Sequence, residues 1–407
     1  MSKLHQLISP TLSSFLMITG VTLMAVALPI YLENLGYSKI MIGAIAASYC
    51  AGMAYGSFKI EPIVTSVGHI RSFCAFISIM VVSVLAPVIF DNFFSWFIFR
   101  FFSGLALGGL YVVLESWFLS IGDKKNSGLY LSIYMAALGL GSSLAPFFMN
   151  IHSVGAYTIF IITAIFLSAS SATLSLKRGP VPEIGEHSVM TISDLFKISK
   201  IGVIGCIISG FMISSMQSLL PLILTHQQFS TAEISITLAA LIFGNFCFQY
   251  PVGYISDKYD RRNVMQVMCL IGIIAYLCAI LFYTQFSILY LLCIFIIGGC
   301  VFSLYPIAIS FTCDQIEQKD IMKAIQGLLL VYGAGSVLGP LAISFALKFF
   351  GSVSLFLING SFLGLLMFYI IRSKMLGKKN IEPVHTHNIM PTATSIIPEL
   401  NDTEEVL

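Results

Sequence analysis

The sequence predicts an all-α membrane protein: twelve transmembrane helices arranged as two six-helix pseudo-repeats. Three observations predict it. Of 407 residues, 57% are hydrophobic and 10% charged, with a mean hydropathy of +0.93, whereas soluble domains carry about 25% charged residues. Such a chain lacks the polar groups to cover a water-facing surface. Apolar runs of membrane-spanning length recur along it, separated by short clusters of basic residues. Finally, GLGSSLAP (Gly139 to Pro146) returns as GAGSVLGP (Gly333 to Pro340).

A hydrocarbon core about 30 Å thick is crossed by roughly 20 apolar residues in a helix. Runs bounded by charge, Gly or Pro fall at 10–32, 40–62, 72–90, 94–119, 128–150 and 156–176. Six more follow at 201–225, 233–255, 263–283, 287–311, 324–348 and 354–372. The first run follows Lys3, as a secretion signal would, but it exceeds the roughly 7–15-residue core of a signal peptide and has no small-residue cleavage pattern. It reads as the first span. Between the sixth and seventh runs, Lys177 to Lys200 is polar, contains RGPVPEIGEH and shows no apolar periodicity. This predicts a cytoplasmic linker over 179–200 between six-helix bundles at 1–178 and 201–372. Residues 373–407 end in NDTEEVL and read as a disordered cytoplasmic tail.

Orientation follows from basic residues, which are retained in cytoplasmic loops. With both termini cytoplasmic, 18 of the 21 lysines and arginines fall on that side. Only Lys39 and Lys348 fall on the far side, and Arg100 lies within a span. A wrong span count would invert every later loop and destroy this asymmetry. The net charge of +2 is no sign of nucleic-acid binding, because the basic residues do not gather on one face. Nine cysteines are scattered through apolar runs without a CxxC pair or a neighbouring histidine at ligand spacing, so they read as packing residues. Neither a metal site nor a cofactor is expected.

The repeat has a fixed offset of 194, which also pairs Tyr111 with Tyr305 and Ser116 with Ser310. Spans four and five therefore correspond to spans ten and eleven. Two parallel six-helix repeats with a substrate path near the midplane are one transporter architecture.

The loop after span eight runs Gly253, Tyr254, Ile255, Ser256, Asp257, Lys258, Tyr259, Asp260, Arg261, Arg262. It resembles the GxxxD(R/K)xGRR loop of the major facilitator superfamily, with Asp260 where that pattern has glycine. After span two, Gly68 and Arg71 fit the end of the same pattern, while Thr65 stands at the aspartate position. The whole chain resembles the YcaD-like branch of bacterial transporters. GLYVVLESW (Gly109 to Trp117), GCIISG (Gly205 to Gly210) and SLLPLILTH (Ser218 to His226) carry that likeness, with SLYPIAIS (Ser303 to Ser310) and QGLLLVYGAGSVLGP (Gln326 to Pro340). The resemblance implies a multi-pass transporter of the bacterial inner membrane.

Arg100 opens an RxxxGxxxG pattern, with Gly104 and Gly108 one and two turns along the same helix face. A charge inside a span is costly and normally faces protein or an aqueous cavity, and glycines at this spacing admit another helix backbone. The pattern resembles the fourth-span arginine motif of the family, which implies a substrate-path or coupling role. A structural arginine capping carbonyls is the competing reading. Glu115 lies roughly 22 Å further along the helix at 1.5 Å per residue, too far to pair with Arg100. It reads as one side of a cytoplasmic gate with Lys59, Arg71 or another basic group at the cytoplasmic end, or as a plain interfacial ion pair. Gly253, Asp257, Arg261 and Arg262 form the second-half counterpart of that gate, with topology setting as the competing role for the basic residues. Gly139, Gly141, Pro146, Gly333, Gly335 and Pro340 loosely resemble the fifth-span antiporter motif of the family, and close packing plus a bend explains them as well. Thr19, Thr22, Gln217, Asn245 and Gln249 are mid-span polar residues that either orient a substrate or bond helices together. Glu33 and Asp91 are carboxylates at the far-side span ends, read as proton entry points or as solvated loop residues.

Together these features predict a secondary transporter driven by protons, acting by alternating access on a small molecule within membrane lipid. Efflux is favoured by the arginine and antiporter-like motifs, and uptake of a metabolite or metal chelate is the alternative. No Walker-type phosphate loop is present, so ATP is not the expected energy source. A membrane enzyme would need converging His, Asp, Glu or Cys groups within spans, and a sensor would carry a folded extramembrane domain.

Overall fold

In a bilayer the backbone must satisfy its own hydrogen bonds, which leaves helices as the form open to these apolar runs. The computed structural model describes residues 3–121, 127–150, 157–175, 190–317 and 320–375. Among them, twelve helices are long and apolar enough to cross a membrane. The first six spans are α1 (Lys3–Asn34), α2 (Lys39–Lys59), α4 (His69–Ile89), α5 (Phe93–Ile121), α6 (Ser127–Leu144) and α7 (Thr158–Ser175), with a short α3 (Glu61–Val67) after α2. A 3₁₀ segment, Ala145–Asn150, continues α6. After a short α8 (Ile192–Ile198) come α9 (Lys200–His226), α10 (Thr231–Lys258), α11 (Arg261–Phe282), α12 (Ile288–Cys313), α13 (Ile321–Phe350) and α14 (Val353–Met375).

Two segments differ from the sequence expectation. The second span stops at Lys59 instead of reaching residue 62, and α3 starts with proline in its first turn. Proline has no N–H to continue a helix but suits the start of a new one. α3 then ends at Gly68, whose φ of 91° lies where glycine is strongly favoured. The linker, read as a polar stretch without periodicity, holds helix α8. The Thr191 hydroxyl caps it by accepting from the Asp194 N–H, its buried Leu195 meets Gly327, and the Met190 N–H donates to the Lys323 carbonyl at 3.1 Å. Seven residues with one buried apolar anchor are too short to show a period. Helix α14 continues to Met375; the expected tail and residues 176–189 of the linker lie outside the described residues.

Glycine decides how closely the spans approach. A β-carbon at Gly104 or Gly108 would overlap the α2 backbone at Tyr49 and Met53, and one at Gly52 or Gly56 would overlap the α5 backbone at Phe101 and Leu105. The two helices therefore interlock backbone to backbone. Helices α10 and α12 repeat the device through Gly244, against Phe295, and Gly298, against Leu241.

The repeated octapeptides have matching duties. Gly141 abuts Phe15 of α1, and Gly335 abuts Ile207 of α9, each inside its own group of six spans. Gly139 faces Phe246 of α10 and Gly333 faces Ala54 of α2, so both look across to the other group. The two groups meet along α2 with α13, α6 with α10, and α1 with α9.

Candidate functional site

Between the two groups lies a cavity of ≈190 Å³ walled by α1, α2, α5, α6, α9, α10 and α13. Much of the wall is aliphatic. Its polar groups are Thr22, Ser142, Ser214, Gln217, Ser218 and Ser336 with three tyrosines, Tyr49, Tyr111 and Tyr332, and its single charge among the described residues is Arg100. Ser142 and Ser336 occupy equivalent positions of the two octapeptides, four residues before Pro146 and Pro340. A proline cannot donate to the carbonyl four residues back, so both repeats leave the serine carbonyl without that helix bond at the cavity wall. The Thr22 hydroxyl donates to Ser142 Oγ at 3.3 Å.

Arg100 is 6% exposed. Its guanidinium carbon lies 4.1 Å from the centroid of the Tyr49 ring, and its Nε is buried without a hydrogen-bond partner. Gly104 and Gly108, one and two turns on, hold this face of α5 against α2 and so fix the depth of the arginine. They are packing residues and do not line the cavity.

Glu115 is 1% exposed and is the single buried carboxylate among the described residues. It lies within electrostatic reach of Tyr111 and Tyr134 and, across the two groups, of Tyr305. The Tyr305 ring centroid is 4.4 Å from that of Tyr332, a cavity residue. A tyrosine cluster thus leads from the cavity to the carboxylate.

The structure separates other residues that the sequence grouped. Asn245 and Gln249 are absent from the cavity wall; on α10 they lie one and two turns beyond Ile242, which lines it, and Gln249 is exposed. Thr19 turns its hydroxyl to the Phe15 carbonyl. Arg71 and Lys59 are both exposed, and Arg71 forms no ion pair among the described residues, so it is not the partner of buried Glu115.

In the loop after α10, Arg261 binds Asp314 at the end of α12 (Nε to Oδ2, 2.6 Å), Asp257 (3.2 Å) and Ser256. This clamp joins α10, α11 and α12 within one group of spans instead of bridging to the other. Asp260, the departure from the family pattern, caps α11 by accepting from the Arg262 N–H at 2.8 Å. Burial pushes its carboxyl up, but hydrogen bonds from the Arg262 side chain and backbone outweigh this and hold it below the ordinary carboxylate range. Its stabilising contribution is present above that range and is lost as the pH falls through the lowered value. Gly253 has open space around it, and Tyr250 and Tyr254 beside it are exposed.

At the opposite end the groups are tied together. Glu33 Oε1 and His226 Nε2 lie 2.5 Å apart, linking α1 to α9. Ser235 donates to the Pro146 carbonyl at 2.7 Å and accepts from Asn150, linking α10 to the end of the α6 span. Asp91, the other carboxylate expected here, accepts from Trp96 Nε1 at 3.0 Å within its own group. Among residues lining or closing the cavity, sequence reasoning missed Tyr49, Tyr332, Ser142, Ser336 and His226. The serines were legible from their place before the repeated prolines; Tyr49 and His226 had no local signal, because their partners are distant in sequence.

The family model of the major facilitator superfamily matches residues 11–318 and 202–391. The chain belongs to the major facilitator superfamily. Its likeness to the MFS-type transporter YcaD of Escherichia coli K12 is 28% identity over 372 residues, covering 90% of this chain and 96% of that one. Among solved structures it is similar to the nucleoside transporter NupG (TM-score 0.72, 14% identity, 93% of this chain and 100% of that one). It is also similar to a D-xylose-proton symporter (TM-score 0.68, 15% identity, 89% and 96%). This superfamily protein is a multi-pass membrane transporter, not an enzyme.

Proposed function

We propose that the protein is a proton-coupled secondary transporter of the bacterial inner membrane that exports a small molecule by alternating access. The observation that supports this best is the cavity shared by both groups of spans, with Arg100 in its wall. The preference of lysine and arginine for cytoplasmic loops supports a cytoplasmic α10–α11 end. The Glu33–His226 and Ser235–Pro146 contacts then close the outer face, while the space around Gly253 and the exposure of Tyr250 lie on the cytoplasmic face. Rocking the 1–178 half against the 201–372 half exchanges the open face.

Glu115 is the group we assign to proton coupling. A buried carboxyl changes by a full charge on protonation, and Tyr305 of the opposite half lies within electrostatic reach of that change. Glu115→Gln is expected to abolish proton movement while ligand binding to the detergent-purified protein stays within about twofold, as expected of a site that is not in contact with ligand. Loss of binding and proton movement together would contradict this role. Glu33→Gln weakens a partly exposed polar contact with His226 worth ~0.2–1 kcal/mol, on the scale of a surface pair, so the outer face is expected to open more often, by a factor of at most about five. Accessibility of a cysteine at Gln217 to an impermeant thiol reagent added outside, in a cysteine-free background, measures it.

Proteoliposomes with an imposed pH gradient and a metabolite and drug panel test the whole reading. Counter-movement of protons and one compound is expected. Movement of both in the same direction would establish uptake, and compound movement indifferent to the gradient would remove proton coupling.

A further inference from the structure

We infer that the cavity takes a small organic anion, a carboxylate with an apolar body, whose charged group sits at Arg100. This rests on the reading of that cavity as the substrate site. The guanidinium is more than nine-tenths buried, no ion pair or hydrogen bond engages it among the described residues, and its Nε is without a partner. Tyr49 offers it a ring face at 4.1 Å, an attraction that leaves every N–H of the planar fork free for an acceptor. A buried cation without a counter-charge is unfavourable, so the site is complete when an anion enters.

The rest of the wall narrows the class. Among the described residues no Asp or Glu lines the cavity, so a cationic ligand meets like charge at Arg100 and no attraction elsewhere. A neutral ligand leaves the guanidinium uncompensated. Val21, Ala25, Ile45, Leu107, Ile213 and Ile242 supply apolar surface for a body larger than an inorganic ion. Gln217, with Ser142 and Ser336 from the two repeats, provides uncharged groups that orient that body. Carboxylate matches the fork in geometry as well as in charge.

Matched probes of one shape test this: benzoate, benzamide and benzylamine, with octanoate and octylamine as a flexible pair and chloride and phosphate as bare anions. Each is added at equal ionic strength to the detergent-purified full chain, and the shift in thermal midpoint is read, since a ligand that binds the folded state raises it. Benzoate or octanoate is expected to bind at least tenfold more tightly than its neutral or cationic partner, and chloride and phosphate are expected to give no comparable shift. In Arg100→Gln that preference is expected to vanish, and in Arg100→Lys to weaken while persisting. Equal shifts from benzamide or benzylamine overturn the inference, as does an equal shift from chloride, and the wild-type comparison decides this even where a variant fails to fold. The outcome separates from the transport reading. Anion-selective binding in a protein that moves nothing in proteoliposomes leaves the anion site standing and removes transport. Transport of a neutral or cationic compound does the reverse.

Discussion

Gly104→Val is expected to destabilise the protein by more than the about 1–3 kcal/mol typical of an overpacked core. The added carbons have nowhere to go: the first of them overlaps the Tyr49 carbonyl oxygen of α2, and the obstacle is backbone rather than a side chain able to swing aside. Relief requires separating α2 from α5, which also breaks the contacts at Gly52, Gly56 and Gly108. Gly253→Val is the internal control. Gly253 also belongs to a sequence motif, yet nothing lies within 4 Å of its missing β-carbon. Thermal denaturation of the two purified variants is expected to show a large loss for the first and little change for the second. Equal losses would mean that the α2–α5 approach is not what glycine preserves.

Arg100→Gln is expected to reduce transport at least tenfold in a protein that retains its fold. Glutamine reaches only as far as the arginine Nε and keeps a donor there, but it cannot supply charge-assisted bonds, each worth ~1.5–3 kcal/mol, where about 1.4 kcal/mol is tenfold. Arg100→Lys restores charge without the fork, and lysine is not equivalent to arginine at a stacked site; an intermediate rate is expected. Initial rates in proteoliposomes, normalised to inserted protein, give the comparison. A glutamine variant as active as the parent would reduce Arg100 to a packing residue.

The fold was legible because the spacing of apolar and basic residues is a direct record of bilayer thickness and loop side. All twelve expected spans appear as helices, most within three residues of the expected bounds. What failed was local: α8 is too short for a period, and the kink after Lys59 depends on one proline. The site was legible in part. Arg100 stood out because a charge within an apolar run is anomalous on its own, and Thr22 and Gln217 as polar residues at mid-span depth. Asn245 and Gln249 carried the same signal, but depth along a helix does not say where a cavity stops. The outer closure was not legible at all. Glu33 and His226 are separated by about half of the chain, and their contact exists through the docking of α1 on α9. Likewise, the octapeptide repeat revealed symmetry, while which glycine faces its own helices and which faces the other half depends on the rotation of α6 and α13.

Alternating access requires that one cavity be presented to one face at a time. Spin-label pairs measure this directly in a background where the nine native cysteines are replaced and transport persists. One pair joins exposed Leu35 and Ala232 at the outer end, and the other joins Val67 and Tyr259 at the basic-loop end. Between acidic and alkaline pH, the two distances are expected to change in opposite directions, one closing as the other opens. Distances that stay fixed, or that lengthen together, would contradict it.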